Sequence, residues 1–438
     1  MTAQLPIVES GSGGAERETA LSRLLTVYVA TGLAFMLFPG TFFGVWNLVA
    51  IATHRAPGSV SAAWIQAHGH AQIFGWIGSF ILGIGFYSIP KLRNVKWNAP
   101  VAAWATWALW TSGVLLRWIA GVYQWRRRAT LPISAGFELI AFLIFFKSVS
   151  GHRPGESGKG RLDPWIFAVI AGCLGLFASL FLNLGVAVFL SFRGVGPELP
   201  PLFDQRLLVL QTWGFLVPFV WGFSARWLPV FLGLRPTRTR LLLPAVALNT
   251  AAVIAALAGA AMPAALLLLG GLAVAICALR IAEPAERPAK TRGVHSSFPV
   301  FVRIAYLQAA IAAVLGIWAA LATDSTGIAG ASRHALTVGF LATMVFAIGQ
   351  RVLPAFSGMR VLFSPRLMFI GLLLLTIGCL IRVSSEILAY QHVLVSAWRW
   401  LPASAFIEMT AVTVFAVNLL ATFARPRQSE PTRKGISI

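Results

Sequence analysis

Charge is scarce in this chain. Of its 438 residues only 11% are Asp, Glu, Lys or Arg, whereas 58% are hydrophobic, and the mean hydropathy is +0.78. Soluble domains carry about 25% charged residues, so a water-exposed globule is excluded and the chain reads as an integral membrane protein. Acid is scarcer still, with 14 Asp and Glu against 35 Lys and Arg and a net charge of +21. An excess of that size invites a nucleic-acid surface, but the basic residues are spread over the loops between apolar segments and form no single patch. Nucleic acid is therefore excluded as a partner, and membrane lipid is expected in its place. Cysteine is nearly absent: Cys173, Cys277 and Cys379 fall on three different apolar segments without metal-type spacing. They read as packing residues, not as a disulfide framework or a thiolate metal site. The basic stretch of a cleaved signal is missing too, because Glu9, Glu16 and Glu18 occupy its place.

What the chain has in abundance is long apolar runs. A span needs about 20 such residues, and twelve candidates lie at roughly 22–52, 64–90, 98–121, 131–148, 164–192, 204–232, 241–257, 261–280, 298–322, 331–354, 365–386 and 394–424. The expected fold is an all-α membrane protein of twelve transmembrane helices. One membrane domain, 22–424, stands between a disordered N-tail, 1–21, and a basic C-tail, 425–438. Most Lys and Arg lie in the N-tail, the loops after even-numbered spans and the C-tail, so the positive-inside rule predicts that both termini are cytoplasmic. The run Arg126, Arg127, Arg128 is the main exception, on the outer side.

Within these runs a pattern recurs. Gly75 precedes Pro90, Gly214 precedes Pro229 and Gly339 precedes Pro354 by the same interval, in spans 2, 6 and 10. Five residues before the glycine stand His70, Val209 and His334. Span 4 contains Leu131, Pro132, Ile133, Ser134 and then Glu138; span 12 mirrors it with Leu401, Pro402, Ala403, Ser404 and then Glu408. Thr111, Gly113, Leu115 and Arg117 of span 3 match Thr376, Gly378, Leu380 and Arg382 of span 11. The spacing predicts three pseudo-repeated four-helix units, about 22–148, 164–280 and 298–424. The outer two share a His, an Arg and a Glu that the middle unit lacks.

Polar groups inside hydrocarbon are costly and mark function. His70 and His334 sit at matching depth in matching helices, near the outer ends of their spans, with Arg117, Arg382, Glu138 and Glu408 in the same layer. Two imidazoles facing each other from separate helices are an axial clamp for a haem in an apolar slot, with the arginines at its propionates. The bland alternative is a hydrogen bond across a helix interface. His68 lies two residues from His70, about 200° round the helix, and is either a second-site ligand or an interfacial residue. Glu138 and Glu408 are expected to pair with Arg117 and Arg382 or to handle protons. Tyr123, Tyr390, Asp204 and Asp324 are expected at the interface, and His54, His152, His295 and His392 in solvated loops.

Twelve spans with histidines on spans 2 and 10 resemble the catalytic subunit of haem-copper oxidases and nitric oxide reductases. The stretches His68, Gly69, His70, Ala71, Gln72, Ile73, Phe74, Gly75 and His334, Ala335, Leu336, Thr337, Val338, Gly339 look most like the NnrS family, bacterial multi-pass haem proteins linked to the response to nitric oxide. The resemblance implies a bacterial inner-membrane protein carrying haem, of b type, with copper as a further candidate. It implies nitric oxide or another small gas as ligand and a quinol or other electron donor as partner. His70 and His334 would be the axial ligands, with His68 as a third metal ligand. Spans 6 and 7 hold no histidine and span 10 holds only His334, so the binuclear centre of the oxidases cannot be built here. A quinol-linked oxidoreductase is the enzyme alternative. A transporter is the third reading, on the strength of internal repeats and intramembrane ion pairs.

Overall fold

The computed structural model describes residues 12–92, 100–150, 163–322 and 326–426. The outer parts of both expected tails, with Glu9, His152 and Asp324, lie outside the described residues. Among the described residues twelve continuous helices follow one another. Helix α1 joins Ser12–Phe35, a π-helical segment Met36–Phe42, and Phe43–His54; α2 joins Ala62–His70, a π segment Ala71–Gly78, and Ser79–Leu92. Then come α3 (Pro100–Tyr123), α4 (Arg127–Ser150) and α5 (Pro164–Arg193). Helix α6 joins Pro201–Val209, a π segment Leu210–Leu216, and Val217–Leu232. After α7 (Thr239–Leu257), α8 (Ala261–Leu279) and α9 (Phe298–Leu321), α10 joins Thr326–His334, a π segment Ala335–Ala342, and Thr343–Phe356. Helices α11 (Pro365–Tyr390) and α12 (Ala397–Ala424) close the chain.

Among the described residues eleven helices are long and apolar enough to cross a membrane. The remaining one, α3, matches α4 in length; Trp104, Trp107, Trp110, Trp118 and Arg117 hold its hydropathy down. Helix α1 begins at Ser12, so the expected N-tail is helical from there on. The cause is a dock: Glu18 accepts from the Tyr87 hydroxyl at 2.6 Å and pairs with Lys91, both at the far end of α2, and Leu21 is buried beside them.

Each helix packs on its successor, and α12 returns to α1, so the twelve close into a ring. Helices α2, α6 and α10 are the most buried of the eleven. The recurrent glycines sit where these three cross their predecessors. A Cβ on Gly75 would fall 2.8 Å from Phe35 Cβ, one on Gly339 2.8 Å from Gln308 Cβ, and one on Gly175 of α5 2.1 Å from the carbonyl oxygen of Gly214. None of these crossings has room for a side chain. In all three helices the π segment starts immediately after the repeat position held by His70, Val209 or His334. A π turn widens the ring and disturbs its hydrogen-bond ladder. Two neighbours supply a donor there: Trp110 Nε1 of α3 to Phe74 O at 2.9 Å, and Asn249 Nδ2 of α7 to Trp213 O at 2.7 Å. Trp110 and Asn249 follow their respective glycines by the same number of residues.

All three cysteines are free thiols. Cys379 is buried and Cys173 partly so, as packing residues should be, but Cys277 is exposed on the apolar flank of α8.

Candidate functional site

A cavity of about 380 Å³ wraps α2. On one side its wall comes from α1, α10, α11 and α12; on the other it comes from α3, α5 and α6. His68, His70, His334, Arg117, Arg382 and Glu408 all line it, so six of the seven side chains singled out in the sequence face one space. The seventh, Glu138, is fully buried behind His70. Ile73, Trp76, Leu48 and Leu341 give the rest of the wall its apolar character.

The three imidazoles are each tied down by one ring nitrogen. His68 Nδ1 lies 2.7 Å from Gly40 O of α1, and His334 Nδ1 lies 3.0 Å from Gly330 O, one turn back in its own helix. A carbonyl can only accept, so both Nδ1 atoms carry a proton, and Nε2 is the nitrogen left without a partner in each ring. His70 is the reverse case: its Nε2 meets Glu138 Oε1 at 2.7 Å, and its ring stacks on Phe74 with centroids 4.6 Å apart. Only its Nδ1, the nitrogen beside the side-chain stem, is left. His68 and His70 thus point to opposite sides of α2, as the 200° rotation requires. His68 lies close enough to His334 and Arg382 to interact electrostatically with both. His68, His70 and His334 all border the same cavity, and His68 and His334 are the two that leave Nε2 as their unbonded ring nitrogen.

The carboxylates are arranged differently from expectation. Glu138 takes its hydrogen bond from His70 and not from Arg117; Asn183 Nδ2 stands 3.5 Å from its other oxygen. Arg382 pairs with Glu386 at 3.4 Å, and Glu386 also lies 3.3 Å from His334 Nδ1, so Glu386 fills the role foreseen for Glu408. Glu386 went unread because the repeat has Gly121 at the corresponding place of α3; the i,i+4 spacing from Arg382 was the available signal. Glu138 and Glu408 do share one setting. Each nests on a bare glycine, Gly113 or Gly378, where a Cβ would fall 2.8 or 2.7 Å from the glutamate Cγ. Ser134 and Ser404 each donate to the carbonyl of the leucine before the proline at 2.7 Å. Asp204 and Tyr390, expected at the interface, line the cavity instead.

Several buried polar atoms around this space have no hydrogen-bond partner among the described residues: both amide atoms of Asn47, Gln72 Oε1, Arg382 Nη1 and Glu408 Oε1. Buried groups of this kind cost free energy unless something meets them, a need that ordered water or a bound group with polar edges would fill.

The profile of the NnrS protein family matches residues 26–427. The chain belongs to the NnrS family. No curated protein matches it. Among solved structures this NnrS-family chain is similar to a haem-copper terminal oxidase, whose dimer was determined by cryo-electron microscopy. The TM-score is 0.69 at 12% identity, over 94% of this chain and 86% of the other. That likeness gives the fold: an all-helical membrane architecture of the haem-copper oxidase kind.

Among the described residues no group of three or more His, Cys, Asp and Glu is arranged to hold a metal ion. The donor set is of the kind a haem uses: two imidazoles with Nε2 unbonded, an apolar wall, and Arg117 and Arg382 on the same cavity as cationic groups for its carboxylates.

Proposed function

We propose that this NnrS-family protein binds a haem of b type in the cavity beside α2, whose iron His68 and His334 would hold, and serves a bacterial response to nitric oxide. The observation that carries the reading is the matched pair of imidazoles. Both keep Nδ1 on a backbone carbonyl and leave Nε2 toward one cavity, the arrangement that fixes tautomer and ring direction for a metal-bound histidine. Coordination through Nε2 keeps the side-chain stem clear of the macrocycle, whereas His70 would have to use Nδ1. Arg382, held by Glu386 and left with a free Nη1, and Arg117 are the cationic partners for propionates.

Bound there, the haem would supply one-electron chemistry and an iron that binds small gases. The chain's own part is to orient the two rings, keep bulk water out with apolar walls, and neutralise the cofactor's charge. His70, backed by Glu138, offers a further polar group on the far side of α2. The reading takes the twelve helices as three four-helix units, both termini as cytoplasmic in the bacterial inner membrane, and a membrane electron donor as partner.

Purification from haem-replete cells and pyridine haemochrome assay tests it. The expected result is bound haem in the wild type, loss in His334→Ala, and an absorption change when nitric oxide is added to the reduced protein. Wild-type protein that purifies without haem would sink the proposal.

A further inference from the structure

The ring of His68 is held from α1 by two separate contacts. The first is the hydrogen bond to Gly40 O at 2.7 Å. The second is steric: a Cβ built on Gly44, one turn further along α1, would fall 2.5 Å from Cε1 and 2.8 Å from Nδ1 of that ring. No methyl group fits at such distances, so the ring occupies its plane only because Gly44 is bare. Gly44 lies inside the helical run Phe43–His54 with no left-handed backbone to justify it, and a glycine inside a helix costs about 1 kcal/mol relative to alanine. Space, not conformation, is what it provides. Gly40 ends up opposite His68 because the π segments of α1 and α2 pack on each other, with Gln72 Nε2 donating to Thr41 Oγ1 at 3.0 Å between them. Gly69, next to His68 in α2, is a contrast: a Cβ there has nothing within 4 Å.

We infer that Gly44 is a positioning residue for His68: the bare face of α1, together with the Gly40 carbonyl, locks the imidazole in one plane with Nε2 toward the cavity. That the locked ring governs a haem iron rests on the proposed function; the lock itself does not.

A thermal double-mutant cycle on the detergent-purified full chain tests the lock, using Gly44→Ala, His68→Ala and the double variant, with Gly69→Ala as control. Gly44→Ala alone should lower the melting temperature by about 2 °C or more. In the His68→Ala background the same change should be neutral or stabilising, because the clashing ring is gone and helix propensity improves. Gly69→Ala should melt no lower than wild type. Should Gly44→Ala fail to fold while the double variant folds, the clash is equally established. An equal loss in both backgrounds would overturn the inference.

In haem-loaded protein, Gly44→Ala should keep its haem content and shift the g-values of the ferric low-spin signal. Retained haem with unchanged g-values would remove the link to the iron. Absence of haem from the wild type would count against the proposed function and leave the thermal cycle decisive for the lock.

Discussion

At the residue scale, each ionisable group that borders the cavity has an identifiable setting. Arg382 and Glu386 are the plainest pair, both almost fully buried and one turn apart on α11. Removing one partner of such a pair leaves an uncompensated charge, at a cost of about 3 kcal/mol or more. Arg382→Leu should therefore melt well below wild type, and Arg382→Leu combined with Glu386→Leu should recover most of the loss in the same thermal measurement. His70, His334, Arg117 and Arg382 were legible in the sequence because intramembrane polar residues repeat at matched positions. Which nitrogen each imidazole leaves free was not legible, because it depends on carbonyls of α1 and α10 and on Glu138 far away in the chain. The proposal accordingly takes His68 as the partner of His334.

At the element scale, glycines explain how the helices approach. Gly339 of α10 lies against Gln308 and Cys379, at 2.8 and 3.1 Å from a built Cβ. Gly339→Leu should overpack that crossing and destabilise the protein by about 1–3 kcal/mol, measurable as a lower melting temperature, whereas Gly270→Leu, where a Cβ meets nothing within 4 Å, should not. The same glycines announced the recurrent pattern in the sequence. The π segments that contain them carried no signal a periodicity of 3.6 could reveal, since one added residue per turn is a response to neighbours such as Trp110 and Asn249. In the loop between α8 and α9, hydrogen bonding from Arg280, aided by the charge of Arg238, outweighs partial desolvation and holds the Glu283 carboxyl below the usual glutamate range. A depressed folded value means stability that is present above the ordinary pKa of about 4.3 and lost as pH falls through the folded one. The melting-temperature advantage of wild type over Glu283→Gln should accordingly be steady near neutral pH and shrink in acid. An advantage that grows on acidification would contradict the assignment.

At the scale of the whole molecule, the apolar runs, with tryptophan counted as apolar, were enough to count the helices, and their boundaries shifted chiefly at α1, where the dock of Glu18 on α2 lengthens the helix. Closure of the ring was not legible, because contact of α12 with α1 joins the two ends of the sequence. On the proposed reading of twelve crossings both termini would lie on one side, and the distribution of Lys and Arg would make that side the cytoplasm. Reporter fusions at the two termini should both report a cytoplasmic location. A periplasmic signal from either would reverse the account of which surface lies above the cavity.

The central claim is that two imidazoles, one from α2 and one from α10, share a haem iron. Electron paramagnetic resonance of the purified ferric protein tests it most directly, with His68→Ala, His70→Ala and His334→Ala measured beside wild type. The account predicts a low-spin bis-imidazole signal in wild type that survives in His70→Ala and disappears in His68→Ala and His334→Ala. A signal that persists without His68 and vanishes without His70 would contradict it.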